Sequence, residues 1–66
     1  MILTVRQWRA VRGKTQAEMS ELLGVHINTY RNWEKTPHII DVCHAQRLAE
    51  IFEVDINDID FTKGAA

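Results

Sequence analysis

The side chains with the most chemistry to offer fall in one run, "HINTYRNWEK", residues 26–35. Asn28 and Asn32 are four positions apart, so on a helix their carboxamides lie one turn apart on one face, with Arg31 next to them. Tyr30 and Trp33 are three apart and share another face, which suits packing. Amides and a guanidinium recognise hydrogen-bonding partners but do not by themselves make a nucleophile, base and oxyanion set. The major groove of B-DNA offers them matching receptors. Asn can pair two-fold with adenine, Arg with guanine, and Ile can touch a thymine methyl.

That face needs elements to hold it. Thr4 can cap a first helix over residues 5–12, with Val5, Trp8 and Val11 on or near one face and Gly13 ending it. Thr15 and Glu18 in "TQAE" form a capping box that opens a second helix, which buries Met19 and Leu23 and leaves Leu22 half covered. Gly24 frees the backbone for a turn and Val25 plugs it. A third helix follows over residues 27–34, and small Ser20 sits where it crosses the second. Two helices joined by about three residues form a helix-turn-helix. Tyr30 and Trp33 then anchor the third helix, freeing Ile27, Asn28, Arg31 and Asn32 to face outward. Gln16, opening the second helix, is placed to meet a phosphate with its amide and the helix's N-terminal N–H groups.

Beyond "KTPHII", Asp41 caps a fourth helix, Val42–Phe52, with Val42, Ala45, Leu48, Ala49 and Phe52 at helical spacing. Asp55 caps a fifth over residues 56–60, where Ile56 and Ile59 close the core with Phe61; the tail 62–66 is expected to fray. No alternating stretch is long enough for a sheet. The reading is an all-α domain of five short helices over residues 1–61.

Composition narrows the class. The 66 residues suffice for one domain, and 45% hydrophobic content allows a core. A single cysteine makes no internal disulfide, and no membrane span or signal segment is visible, so a soluble protein of a reducing cytoplasm is expected. The formal charge of −1 conceals polarity along the chain. Residues 1–35 hold six Lys or Arg against three acids, while residues 36–66 hold two against six. The basic first half leaves room for a polyanion there.

Other chemistries fare worse. His38, Cys43 and His44 match no zinc spacing, and on a helix adjacent Cys43 and His44 point about 100° apart. No metal or cofactor is therefore expected, and no enzyme. Trp8, Tyr30 and Trp33 suit a core better than a stacking platform for single strands. A protein-docking regulator is the competing function. Ile39, Ile40, Phe61 and Leu22 could supply its interface, and the acidic second half could steer a basic partner.

"RGKTQ", "LLGV", "TYRNWEK" and "LAEIFEVDINDI" together resemble the Cro/repressor-type (XRE, λ-repressor-like) helix-turn-helix family over residues 3–61. The ending "NWEKTP…LAEIFEVDINDIDF" is similar to small phage and prophage regulators of Gram-positive bacteria. The resemblance implies a transcriptional regulator that binds double-stranded operator DNA in the bacterial cytoplasm. One recognition helix reads only a few base pairs, so two copies about 34 Å apart, as a homodimer formed on DNA, are expected. It also implies that some relatives act instead as antirepressors or antitoxins. By position it makes Ile27, Asn28 and Asn32 base readers, and Gln16, Thr29 and Lys35 backbone contacts. Arg31 is grouped with the readers and His26 with the backbone contacts, although each can serve either role. Arg9 and Glu34 match an internal salt bridge of the family. Lys14, Tyr30 and Glu53 stand where Leu, Ile or Val, and Gly are usual, and Glu53 implies a different helix end.

Overall fold

Two threonines start the first two helices by the same device. In the computed structural model, which describes residues 1–64, Thr4 Oγ1 accepts the Gln7 N–H at 3.2 Å while Gln7 Oε1 accepts the Thr4 N–H at 2.9 Å. This opens helix α1, Val5–Val11. Thr15 and Glu18 repeat the exchange at 3.0 and 2.9 Å and open α2, Gln16–Leu23. Each such cap is worth about 1 kcal/mol.

Gly24 then takes φ +69°, ψ 33°, a left-handed conformation that costs a residue with a Cβ about 1–2 kcal/mol. The turn closes with the Val25 N–H on Ser20 O at 3.0 Å, and the chain enters α3, Ile27–Lys35. Pro37–Ile39 form one 3-10 turn. Asp41 caps α4, Val42–Phe52, by accepting the His44 N–H at 3.2 Å. The His44 ring also meets the Asp41 carboxylate at 2.5 Å and lies 4.9 Å from the Trp33 ring, so its surroundings are structural.

The end of the chain departs from expectation. A fifth helix does not form. Ile56–Asp58 make a single 3-10 turn capped by Asp55, and the chain then straightens. Ile59–Asp60 (β2) pair in parallel with Leu3–Thr4 (β1), Leu3 opposite Ile59 and Thr4 opposite Asp60. Backbone groups engaged across that ladder are not free to close helical turns. The short pairing joins the two ends of the domain. Trp8 reinforces it by donating its indole N–H to Asp58 O at 2.8 Å. Thr62 follows, its N–H and hydroxyl both donating to Asp60 Oδ1. Gly64 lies so close to the end of α3 that a Cβ there would fall 1.8 Å from Lys35 O. The last two residues of the tail lie outside the described residues.

The core is built from Val5, Trp8, Met19, Leu23, Tyr30, Trp33, Leu48, Ala49, Phe52 and Ile59, with Ala45 also buried. Ser20 is buried beneath the turn, its hydroxyl donating to Ala17 O at 2.8 Å. Two expected apolar positions are not part of the core. Val11 is 57% exposed because six residues of helical rotation have carried it about 120° from Val5. Val42, at the first position of α4, is 70% exposed. Ile40 and Phe61 pack against the core, whereas Ile39 and Leu22 remain exposed. Glu53 is corrected too. The end of α4 is the ordinary left-handed one, with Glu53 itself at φ 59° and Arg12 Nε donating to Phe52 O at 2.7 Å. No helix among the described residues is long and apolar enough to cross a membrane.

Candidate nucleic-acid interface

Helix α3 divides its residues by face. Tyr30, Trp33 and Glu34 are buried, while Asn28, Thr29, Arg31, Asn32 and Lys35 are exposed and Ile27 is half-buried. The rings therefore hold the helix, and the amides and cations are free of the core. Packing against α2 fixes the azimuth of α3, because Met19, Ser20 and Leu23 are buried on the α2 side.

Beneath this face lies an ion pair. Arg9 Nε donates to Glu34 Oε2 at 2.6 Å and Nη2 to Glu34 Oε1 at 3.4 Å, while Nη1 donates to Lys14 O at 3.0 Å. One guanidinium thus ties α1, the turn before α2 and the end of α3. The pair matches the bridge inferred from the family resemblance, and the Glu34 side chain is 2% exposed against 18% for Arg9. Burial opposes ionisation of Glu34, but hydrogen bonding, led by that from Arg9, outweighs it and holds the carboxyl below its ordinary range. The Glu34 hydrogen bond correspondingly holds the Arg9 guanidinium above its ordinary value, against burial.

Tyr30 lies alongside. Its side chain is fully buried, and its hydroxyl makes no hydrogen bond among the described residues. Burial first, and the neighbouring carboxylate second, push the phenol far above its usual range. It stays neutral at any ordinary pH.

The structure also places two residues where sequence spacing does not. Gln16, half-buried, donates from Nε2 to Glu34 Oε1 at 2.9 Å and accepts Arg31 Nε at 3.3 Å on its Oε1. Both ends of its carboxamide are engaged within the protein. Its backbone N–H, in the first turn of α2, remains outside the helical hydrogen-bond pattern. His26 is the N-cap of α3, its Nδ1 accepting the Asn28 N–H at 3.1 Å. In the neutral ring the proton is therefore on Nε2, which is free to donate. A histidine seldom announces itself as a cap. The signal available was only its position before the helical run.

Lys35 closes α3, so an exposed cation stands at the end of the polar face that carries Arg31. No three His, Cys, Asp or Glu among the described residues group as metal ligands. Cys43 is exposed on α4.

A helix pair joined by a Gly-centred turn, with a polar outward face on its second helix, is a helix-turn-helix domain. The helix-turn-helix family model matches residues 5–59, and the chain belongs to the Cro/repressor-type (XRE, λ-repressor-like) branch of that family. It is a family of DNA-binding regulatory domains, not of enzymes. Neither the curated proteins nor the solved structures contain a significant match to the chain.

Proposed function

We propose that this protein is a Cro- or repressor-like transcriptional regulator that places α3 in the major groove of an operator. The observation that carries the reading is the division of α3. Its aromatic side is buried, and its exposed side carries amides and cations. Ile27, Asn28 and Asn32 read base edges. Thr29, Lys35, the Nε2–H of His26 and the α2 N-terminus at Gln16 meet the sugar-phosphate backbone. Binding blocks polymerase sterically.

A single α3 spans only a few base pairs, so useful selectivity needs two copies about 34 Å apart along the duplex. The domain measures 28 × 22 × 20 Å, so two copies fit side by side at that spacing. A homodimer formed on DNA is the natural consequence, with the Pro37–Ile40 loop and the C-terminal residues 58–66 as candidate contacts. A bacterial cytoplasm, of a phage-infected or lysogenic host, is the setting that fits.

Titration of duplexes selected from a random pool, at two salt concentrations, tests this. A regulator of this kind shows sequence preference and a log-linear loss of affinity with salt. Ile39, in the 3-10 turn, and Val42, at the start of α4, stand exposed, which favours a docking regulator, an antirepressor or antitoxin, as the second reading. Absent or salt-insensitive DNA binding, together with capture of a repressor or toxin, would establish that reading instead.

A further inference from the structure

Arg31 is the one exposed cation of α3 with two side-chain partners among the described residues. Its Nε donates to Gln16 Oε1 at 3.3 Å and its Nη1 to Asn28 Oδ1 at 3.4 Å. Both bonds are long, so their effect on stability is small and their effect is on orientation. Gln16 passes the constraint inward, donating to Glu34 Oε1 at 2.9 Å, and Glu34 is fixed by Arg9.

The direction of donation along this path is dictated by chemistry. A carboxylate only accepts and a guanidinium only donates, so Gln16 must turn its NH₂ to Glu34 and its oxygen to Arg31. The same rule turns the Asn28 oxygen toward Arg31 and leaves its NH₂ to face away. The buried ion pair thus fixes which way Gln16 faces, Gln16 holds Arg31 through Nε, and Arg31 turns the exposed Asn28 amide.

We infer that Arg31 is a specificity-determining positioning residue, which presents Asn28 to the groove as a hydrogen-bond donor. The inference rests on the reading of α3 as the recognition helix. Two-fold pairing of Asn with adenine needs the amide oxygen to accept from N6, and here Arg31 competes for that oxygen. A donor-presenting Asn28 instead favours an edge made of acceptors. Guanine offers two, O6 and N7, which the Asn28 NH₂ and the Arg31 N–H groups not engaged by Gln16 or Asn28 can share. The ligand class is therefore a guanine edge at the Asn28 position, in preference to adenine.

Two measurements on the full chain test the proposal. In the free protein, side-chain amide NMR signals of both Gln16 and Asn28 shift in Arg31→Ala, and Arg31→Lys restores neither, since a point ammonium does not reproduce the fork. Unmoved amide signals overturn the latch. With DNA, selection and sequencing of bound random duplexes shows guanine preferred at the one position whose preference Asn28→Ala abolishes. Arg31→Ala moves that same position toward adenine, changing the guanine-to-adenine ratio by about tenfold or more. Three results overturn the assignment. They are adenine already preferred by the wild type, loss of preference at a different position in Arg31→Ala, and uniformly weaker binding with preferences intact. If the wild type shows no sequence preference on any duplex, the recognition-helix reading itself fails. Preference that Arg31→Ala leaves unaltered defeats only the positioning role.

Discussion

Arg9→Met separates a buried ion pair from two solvated charges. Methionine keeps an unbranched apolar stem in α1 and removes the guanidinium. The Glu34 carboxylate then loses two of its three side-chain hydrogen bonds, at 2.6 and 3.4 Å, and keeps that from Gln16 at 2.9 Å. Glu34 is 3% exposed, so water does not replace them. Breaking a buried pair from one side costs about 3–5 kcal/mol. Native domains hold about 0.05–0.15 kcal/mol per residue, so for 66 residues the change removes about 30% or more of the total. At about 4–8 °C per kcal/mol, Tm falls by at least about 12 °C.

The same substitution changes the pH dependence. In the wild type the Glu34 carboxyl sits below its ordinary value despite burial, because Arg9 and Gln16 hydrogen-bond its charged form. Its contribution to stability is therefore present above the unfolded pKa of about 4.3, and is lost as pH falls through the lower folded value. In Arg9→Met burial dominates and the carboxyl rises above its unfolded value. Stability is then lost as pH rises from about 4.3 through that raised value. The difference between wild type and variant must therefore narrow between pH 7 and pH 5. Urea unfolding followed by Trp8 and Trp33 fluorescence at both pH values measures it. Adding Glu34→Gln should recover much of the loss, since no buried charge is then left unpaired. A loss below about 1 kcal/mol, equal at both pH values, would mean a screened surface bridge and not a buried pair.

Asn28→Ala should weaken operator binding by about 1–3 kcal/mol and relax one base pair, with an unchanged urea midpoint. Lys35→Ala should weaken all duplexes alike and reduce the salt slope by about 1; if both variants bind like the wild type, α3 is not the DNA face. Glu53→Gly should raise the urea midpoint. It relieves about 1–2 kcal/mol of left-handed strain against about 0.5–1 kcal/mol of glycine entropy; a lower midpoint would show that the Glu53 side chain contributes more than its backbone costs. Tyr30→Phe should be neutral or stabilising by up to about 1 kcal/mol, because it removes a buried hydroxyl without a partner. A loss of about 1.5 kcal/mol or more would show instead that the hydroxyl donates to Glu34.

What the sequence alone determined about this protein is local. Thr4, Thr15 with Glu18, Gly24 and Asp41 mark where helices start and stop, because capping joins residues two to four apart and is legible as spacing. Met19, Leu23, Tyr30, Trp33, Leu48 and Phe52 are core positions for the same reason, a helical period seen in a short window. The exposed polar side of α3 followed from its buried rings.

The tertiary structure decided whatever joins residues far apart in the chain. The pairing of Leu3–Thr4 with Ile59–Asp60 leaves no periodic trace in two-residue strands, and it is what prevents the expected fifth helix. The bond of Trp8 to Asp58 O spans 50 positions, and that of Arg12 to Phe52 O spans 40. Val42 shows the converse failure, since its spacing is right but at the first position of α4 it is left 70% exposed. At the candidate site, sequence could mark Gln16, Arg31 and Asn28 as polar and exposed. Only the approach of α2 to α3 could make Gln16 the link between a buried carboxylate and an outward guanidinium. A hydrogen bond needs two groups within about 3 Å, and for side chains on different helices that distance is set by packing.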